Sequence, residues 1–260
     1  MDLQLKDKVV IVTGGASGIG AAIITGAAHE GAVAVIVDKC AEAAHDVECE
    51  VKKRGGRAHA IVTDLTAAEN CRLAIEETLE RCGRIDALVN NAGLNDRVGL
   101  EDGSPAAYVK SIERNLLHYY NLAHYALPSL KQTRGSIINI ASKTAVTGQG
   151  GTSGYASSKG AILASTREWA LELLPYEIRV NAVLPAEVWT PMYKNWIAEF
   201  PEPEHKLNEI VSRIPFAKRM TTPEEIAAMT LFLMSNQAGH ITGQHLYVDG
   251  GYVHLDRALS

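Results

Sequence analysis

A glycine-rich turn between a short apolar run and a helical stretch constrains the fold of this chain more than any other feature. The run from Lys8 to Val12 is β-branched, as in a strand buried on both faces, and it leads into TGGASGIG and the helical stretch Ala21 to His29. Glycine permits a tight turn against a bound group, and a helix N-terminus offers unpaired N–H groups to an anion. The pattern therefore predicts an α/β sheet with a phosphate-binding turn.

A second strand, Val33 to Val37, ends in Asp38 and indicates which ligand the turn binds. A carboxylate at this place can accept hydrogen bonds from both hydroxyls of an adenosine ribose. Its charge would repel a 2′-phosphate, so NAD is favoured over NADP. The basic neighbour Lys39 would tolerate a phosphate, and NADP therefore stays the less favoured alternative. A simple turn is the other interpretation of the glycines, but the strand and helix around them favour a dinucleotide.

The segment from Ser136 to Lys159 holds the second constellation. Ser142 follows a buried apolar run, and Tyr155 and Lys159 lie four residues apart, on one face of a helix. A nearby ammonium favours the phenolate, so we expect the pKa of Tyr155 to fall towards neutrality and the phenol to exchange a proton with an alcohol or carbonyl. Ser142 would hold the same substrate oxygen. The alternative for the tyrosine and the lysine alone is an ordinary exposed pair on a helix surface.

The early TGxxxGxG, the serine and the YxxxK pair together resemble the signature of the short-chain dehydrogenase/reductase family. The resemblance covers essentially the whole chain and implies a single Rossmann-type α/β domain over residues 1–260, a doubly wound parallel sheet with helices on both faces. It implies a cofactor half at roughly 1–135, a catalytic and substrate half at roughly 136–260, and a lid near 186–215. The catalytic residues that it implies are Asn115, Ser142, Tyr155 and Lys159.

Asn115 lies within a long predicted helix, residues 105–130, where an asparagine is unfavourable by propensity. The resemblance implies that Asn115 distorts this helix and holds a water that links Lys159 to solvent. The alternative is that the side chain caps or bridges buried backbone groups.

The resemblance further implies a set of residues that line the nicotinamide cofactor. Among them, Asp64 would contact the adenine ring, although it could also be the N-cap of a predicted helix that begins near Ala67. Ala186 departs from the proline-glycine that relatives usually carry. The cofactor-binding residues implied in this way are Gly14, Ser17, Gly18, Ile19, Gly20, Asp38, Asp64, Leu65, Asn91, Ala92, Gly93, Tyr155, Lys159, Pro185, Val188 and Thr190.

Residues 191–215 are expected to be irregular, because they carry several prolines and aromatic residues, and they are a candidate substrate lid. Stretches such as NNAGLND, SKTAVTGQGGTSGY and LPAEVWTPMYKNWI are similar to the bacterial members of the family that oxidise the anomeric carbon of L-fucose to a lactone. A sugar is thus the expected substrate. The substrate residues implied are Asn95, Ser142, Gln149, Tyr155, Glu187 and Trp196.

Two other functions stay open from the sequence. A dehydrogenase or reductase of an apolar alcohol or ketone, such as a steroid or acyl substrate, would have a more uniformly apolar lid than Gln149, Glu187 and Asn95 provide. A non-catalytic NAD-binding module would not need a paired phenol and ammonium. The complete set of four catalytic residues counts against the module.

Composition limits the partners and the location. The chain has 260 residues and a formal net charge of −5, with no basic cluster, which argues against nucleic acid. No apolar run approaches the roughly 18 residues of a membrane span. The N-terminus MDLQLKDKVVIVTGG lacks the features of a signal peptide, so we expect a cytoplasmic protein. The four cysteines and nine histidines show no metal-binding spacing, and no metal is expected.

The resemblance also implies a homotetramer. Relatives associate through the helices that correspond to residues 105–130 and 154–174 and through the last strand. The tail VHLDRALS, residues 253–260, is expected to reach towards the site of a neighbouring subunit, because a free terminus of this kind would otherwise fray.

Overall fold

The apolar runs of the sequence form parallel strands that are buried on both faces. The computed structural model describes residues 2–255, and in this range seven strands form one parallel sheet. This confirms the predicted fold class. The strands are β1 (Val9–Thr13), β2 (Val33–Asp38), β3 (Arg57–Val62), β4 (Ala87–Asn90), β5 (Ser136–Ile140), β6 (Arg179–Pro185) and β7 (His245–Val248).

The order of the strands creates a crevice beside β1. Across the sheet the strands follow each other as β3-β2-β1-β4-β5-β6-β7, so the direction of winding reverses between β1 and β4. At such a switch point the loops after the two strands diverge to opposite faces and leave room for a ligand at the carboxyl edge. The glycine turn follows β1 and NNAG follows β4, so both predicted cofactor segments flank this crevice.

Helices cover both faces of the sheet. Alternate residues of β1 divide between the two apolar cores: Val10 and Val12 pack on one side, and Val9 and Ile11 on the other. The side chains of a strand point alternately to opposite faces, so one strand contributes to both cores. The α-helices are α1 (Gly18–His29), α2 (Ala41–Lys53), α3 (Ala68–Cys82), α4 (Pro105–Ile112), α5 (His118–Thr133), α6 (Ser153–Glu172), α7 (Pro191–Ala198), α8 (Pro203–Ser212) and α9 (Pro223–Met234).

The predicted long helix at residues 105–130 is not one continuous α-helix. A π-helical segment, Glu113–Leu117, separates α4 from α5, and Asn115 lies at its centre, fully buried. Such segments widen the helix locally and are frequent at functional sites. The structure therefore bears out the distortion that the family resemblance implied at Asn115.

The expectation that residues 191–215 are irregular is wrong. The prolines that suggested a broken chain are the first residues of α7 and α8. The first helical position needs no N–H donor and suits the fixed φ of proline, so Pro191 and Pro203 begin helices here instead of interrupting them. Thr190 caps α7 by accepting a hydrogen bond from the backbone N–H of Tyr193 at 3.3 Å. The candidate lid is thus a helical pair.

Part of the predicted tail lies outside the structure that is described. Val253, His254 and Leu255 belong to the described range, and residues 256–260 do not. Asp249 organises the visible part of this turn, because its carboxylate accepts the backbone N–H groups of Gly251 at 2.8 Å and of Val253 at 2.9 Å. None of the helices within residues 2–255 is both long and apolar enough to cross a membrane.

Candidate active site

The glycine turn after β1 fits an anionic group such as a pyrophosphate. Gly14 has a φ of +62° and Gly18 a φ of +51°, which favour glycine. A Cβ on Gly20 would lie 2.0 Å from the carbonyl oxygen of Gly14, so no larger residue fits there. Ser17 is the N-cap of α1, but its side chain accepts no hydrogen bond from the helix, and the first turn of α1 has no acidic residue. The N–H groups and the positive end of the α1 dipole are therefore available to a phosphate.

The NNAG segment, which begins at the last residue of β4, is hydrogen-bonded to β1 and the glycine turn. Asn91 donates from its side-chain amide to the carbonyl oxygens of Thr13 at 2.9 Å and Gly14 at 3.2 Å. The Thr13 hydroxyl accepts the backbone N–H groups of Asn91 at 2.9 Å and Ala92 at 3.0 Å. Thr13 thus joins the two segments that flank the crevice. Sequence reasoning did not single it out, although it is the last residue of the strand that precedes the glycine turn.

Asp38 lies at the carboxyl end of β2, where the sequence places an acceptor for the ribose. Its Oδ2 accepts the backbone N–H of Ala16 at 3.1 Å, and its Oδ1 accepts that of Cys40 at 3.0 Å. The carboxylate is therefore held in place against the glycine turn. Because each carboxylate oxygen can accept more than one hydrogen bond, Asp38 retains acceptor capacity for ribose hydroxyls.

The interpretation of Asp64 as a helix N-cap is wrong. The N-cap of α3 is Ala67, and no side chain caps this helix. The Asp64 carboxylate instead accepts the backbone N–H of Thr66 at 2.9 Å and its hydroxyl at 2.8 Å, and these bonds lower the pKa of Asp64. Asp64 therefore shapes the loop after β3. The next residue, Leu65, is buried in the core beneath that loop.

The segment after β6 closes the other side of the crevice. Val188 is buried and forms a backbone bridge with Thr221. A Cβ on Gly18 would lie 3.1 Å from the Thr190 side chain, so this segment touches the glycine turn. Pro185 ends β6 at the same edge. The structure thus brings together Gly14, Gly18, Asn91 and Thr190 as the sequence predicted, from three separate parts of the chain.

Lys159 is buried and bonded to two groups on the floor of the candidate catalytic site. Its ammonium donates to the carbonyl oxygen of Ile140 at 2.7 Å and to the Tyr119 hydroxyl at 3.0 Å. Tyr119 in turn donates to the Ile140 carbonyl at 2.9 Å. Sequence reasoning missed Tyr119, which fixes the position of the ammonium. A tyrosine one helical turn after Asn115 was the available signal, because its side chain lies on nearly the same face of the helix.

The Tyr155 phenol does not have the lowered pKa that the sequence predicted. Burial raises the pKa of Tyr155 to about 12, and the interaction with the Ser142 hydroxyl acts in the opposite direction without overcoming it. Burial also lowers the pKa of Lys159 to about 7. The ammonium lies 5.6 Å from the centre of the Tyr155 ring and bonds Ile140 and Tyr119 instead, so its charge does not compensate the desolvation of the phenol.

Asn115 connects the π-helical segment to the loop after NNAG. Its Oδ1 accepts the backbone N–H of Leu94 at 2.7 Å, and its Nδ2 donates to the carbonyl oxygen of Ser111 at 3.0 Å. A Cβ on Gly93 would lie 3.2 Å from the Asn115 Oδ1 and 3.5 Å from the Lys159 Nζ. Asn115 therefore does bridge buried backbone groups, and it does so beside Lys159. Both interpretations of this residue are compatible with that position.

The candidate substrate residues are less concentrated than the catalytic ones. Glu187 pairs with Lys143, the residue that directly follows Ser142, and both side chains are largely buried. Trp196 stands in an aromatic row on α7, 5.1 Å from Tyr193 between ring centres. Asn95 makes a local hydrogen bond, in which its Oδ1 accepts the backbone N–H of Arg97 at 3.2 Å, and Gln149 is exposed in the loop after β5. Within residues 2–255, no hydrogen bond or ion pair joins Asn95 or Gln149 to the candidate catalytic residues.

Titratable side chains do not cluster in a way that suits a metal. Within residues 2–255, histidine, cysteine and carboxylate side chains form no group of three that could hold a metal ion. The arrangement of a phenol, an ammonium and a serine hydroxyl beside a phosphate-binding turn is suited to proton exchange at an alcohol or carbonyl oxygen next to a nucleotide.

Three comparisons with known proteins agree with this geometry. The chain is 38% identical over 252 residues to the L-fucose dehydrogenase of Bos taurus, covering 96% of this chain and 91% of that protein. It is 35% identical to the 3-oxoacyl-[acyl-carrier-protein] reductase FabG of Thermotoga maritima, covering 96% of this chain and all of that protein. The solved structure of the Cj0485 dehydrogenase superposes with a TM-score of 0.96 at 45% identity, covering 100% of this chain and 99% of that one.

The family comparison covers nearly the whole chain. The family model described as Enoyl-(Acyl carrier protein) reductase matches residues 14–253, which include the glycine turn, Asn115, Ser142, Tyr155 and Lys159. The relatives are named for chemically different substrates, so what they share is the oxidoreductase reaction and not a substrate. The family uses NAD or NADP as its cofactor. The chain belongs to the short-chain dehydrogenase/reductase family of oxidoreductases.

Proposed function

We propose that the protein oxidises the anomeric hydroxyl of an aldose, L-fucose or a close relative, to the lactone with NAD. The observation that carries the proposal is the association of Ser142, Tyr155 and Lys159 at the carboxyl edge of the sheet in a chain similar to L-fucose dehydrogenases. The polar residues around this edge support a hydroxyl-rich substrate. The lid formed by α7 and α8 would cover it, with Trp196 facing the C–H surface of the sugar.

The residues of the chain divide the chemistry between them. The Ser142 hydroxyl holds the anomeric oxygen, and the Tyr155 phenolate takes its proton. Lys159, fixed by Tyr119 and Ile140, places beside the phenol a charge that can be given up and regained during the proton exchange. Asn115 supports the segment that Lys159 contacts, and we propose that it holds the water through which the proton reaches solvent. Bound NAD supplies the hydride acceptor.

NAD is the cofactor that we propose, in preference to NADP. The glycine turn and the uncapped N-terminus of α1 would hold the pyrophosphate, and Asp38 the adenosine ribose. Asp38 is already oriented by two backbone N–H groups, so its carboxylate has a fixed position in which a 2′-phosphate would meet a like charge. Asn91, Gly93, Val188 and Thr190 would line the nicotinamide half. Asp64 and Leu65 would lie beside the adenine.

The first prediction tests the reaction and the phenol together. We expect the wild-type protein to reduce NAD with at least one aldose in a panel of L-fucose, L-galactose, D-arabinose and L-rhamnose, and not with steroids or cyclopentanol. Tyr155→Phe should lower kcat by about 1,000-fold or more while NAD still binds, because only the acid–base group is lost. The control is Tyr176→Phe, a change of the same size at an exposed tyrosine. A Tyr155→Phe variant with near-normal turnover would contradict the assignment.

The second prediction concerns pH and follows from the raised pKa of Tyr155. The oxidation requires the phenolate, and below a pKa of about 12 the phenolate fraction grows with pH. The value of kcat/KM for oxidation should therefore rise between pH 7 and pH 10, by up to about tenfold per unit. Initial rates in constant ionic strength measure this. A fall over the same range would show that loss of the Lys159 charge, whose pKa is about 7, controls the reaction instead.

The third prediction is that Asp38 sets the choice of cofactor. Asp38→Ala should weaken NAD binding and reduce the preference for NAD over NADP by about tenfold or more, because it removes a ribose acceptor and a charge that repels a 2′-phosphate. Titration of both dinucleotides by fluorescence measures the two affinities. Asp46→Ala, at an exposed position of α2, is the matched control. A wild-type protein that prefers NADP would overturn this role of Asp38.

The fourth prediction is that the protein is a homotetramer. Large apolar side chains are exposed on the helices expected to associate: Val109 is 54% exposed on α4, Tyr120 59% on α5 and Leu171 68% on α6. Sedimentation should give a mass of four times 28.0 kDa. Deletion of residues 253–260 should raise KM for the sugar or loosen the assembly, and leave NAD affinity unchanged. A monomer, or a truncated protein with unaltered kinetics and assembly, would contradict the prediction.

A further inference from the structure

A buried ion pair lies next to the catalytic serine and has no role in the proton exchange. The Lys143 ammonium bonds the Glu187 carboxylate, and the two side chains are only 9% and 14% exposed. Lys143 directly follows Ser142 in the loop after β5. Glu187 is the second residue after the end of β6 at Pro185. The neighbouring strands β5 and β6 end at the same edge of the sheet, so the pair joins the two loops that follow these strands.

Two tyrosines complete the surroundings of this pair. The Tyr193 phenol, on the first turn of α7, interacts with Glu187, and burial together with the negative charge of Glu187 raises the pKa of Tyr193. The ring of Tyr252, in the turn after β7, lies 4.1 Å from the Lys143 Nζ. The pair therefore touches the catalytic loop, the candidate lid and the C-terminal turn.

Stability alone does not explain why charges are buried here. Removing two charges from water costs free energy that their attraction often fails to recover, and apolar side chains of similar volume are frequently as stable or more so. An apolar alcohol would form no hydrogen bond with a charged pair beside Ser142. Its binding would cover these polar groups without bonding them, which costs free energy. A substrate that bonds both charges removes this cost in the complex.

The pair has unused hydrogen-bonding capacity. An ammonium has three N–H donors, and within residues 2–255 the structure records one hydrogen bond from Lys143, to Glu187. The carboxylate has two oxygens with about four acceptor positions, and its neighbours are Lys143 and Tyr193. A hydroxyl group is both donor and acceptor, so adjacent hydroxyls can accept from Lys143 and donate to Glu187 at once. An aliphatic chain can do neither.

The geometry points to Lys143 and Glu187 as a joint specificity site for two adjacent hydroxyls of the sugar, other than the hydroxyl that is oxidised. This inference rests on the proposed function and deepens it, because it names the groups that would select a polyol over an apolar alcohol. Lys143 is the new member: it contacts substrate while its neighbour Ser142 holds the reacting oxygen. Two consecutive residues of one loop thus serve recognition and reaction.

The test removes both charges together, so that neither is left buried without a partner. In Lys143→Met/Glu187→Gln, kcat/KM for the best aldose of the panel should fall about 100-fold, since each hydroxyl loses a bond to a charged group. NAD affinity should stay within about threefold, because neither of the two side chains is among those proposed to hold the dinucleotide. The matched control is Lys52→Met/Glu48→Gln, the same change at a lysine–glutamate pair on α2 in which Lys52 is 53% exposed, and it should change kcat/KM by less than about twofold.

Mono-deoxy analogues of the same aldose separate recognition from a structural role. The wild-type protein should disfavour one or two of these analogues by about 10- to 100-fold in kcat/KM. In the double variant, kcat/KM for these analogues should equal kcat/KM for the parent sugar. An equal loss for the parent sugar and all analogues would mean that the pair only supports the fold, and would overturn the assignment.

The remaining outcomes are equally decisive. If the double variant does not fold, Lys143→Arg replaces it, because this change keeps the charge but moves the N–H donors. It should lower kcat/KM for the parent sugar more than for the mono-deoxy analogue that the wild-type protein disfavours. An unchanged ratio in that variant would overturn the assignment. A wild-type protein that is active on an aldose but indifferent to every deoxy analogue would overturn the role of the pair alone. A wild-type protein inactive on the whole panel would overturn the proposed function and this inference with it.

Discussion

The candidate site depends on one constraint: all seven strands run in the same direction, so their carboxyl ends share one edge. Thr13, Asp38, Asn91, Ser142 and Glu187 each lie at or just after the end of a different strand. Residues far apart in sequence therefore meet without any long excursion of the chain. The reversal of winding between β1 and β4 then separates the loops enough to admit a ligand. The candidate site residues lie at this carboxyl edge, and the loops at the opposite edge connect helices to the strands that follow them.

Burial controls the pKa values of the candidate catalytic groups more strongly than their mutual charges do. Lys159 has neutral acceptors, the Ile140 carbonyl and the Tyr119 hydroxyl, and no carboxylate, so desolvation lowers the pKa of Lys159 to about 7. The same desolvation raises the pKa of Tyr155 to about 12. The two pKa values therefore move apart from nearly equal ordinary values, and Tyr155 holds its proton more tightly than Lys159 does.

Local patterns sufficed to predict much of this molecule. The predicted strand Val33 to Val37 corresponds to β2 (Val33–Asp38), and the predicted helical stretch Ala21 to His29 lies within α1 (Gly18–His29). The expectation that residues 191–215 are irregular was wrong, because a proline that begins a helix and one that breaks it are alike in sequence. Tyr119 and Lys143 were missed for a different reason. Their partners, Lys159 and Glu187, are 40 and 44 residues away, and such contacts leave no trace in periodicity.

The two buried lysines of the site differ in the groups that face them, and this difference suits them to different tasks. Lys159 faces neutral oxygens, so its charge depends on its surroundings and can be given up or regained during proton exchange. Lys143 faces the Glu187 carboxylate, so these two buried charges are paired with each other. A lysine held by a carboxylate suits recognition, since the partner fixes where its remaining N–H donors lie. The loop after β5 brings this second lysine beside Ser142, so the two lysines approach the candidate site from different elements.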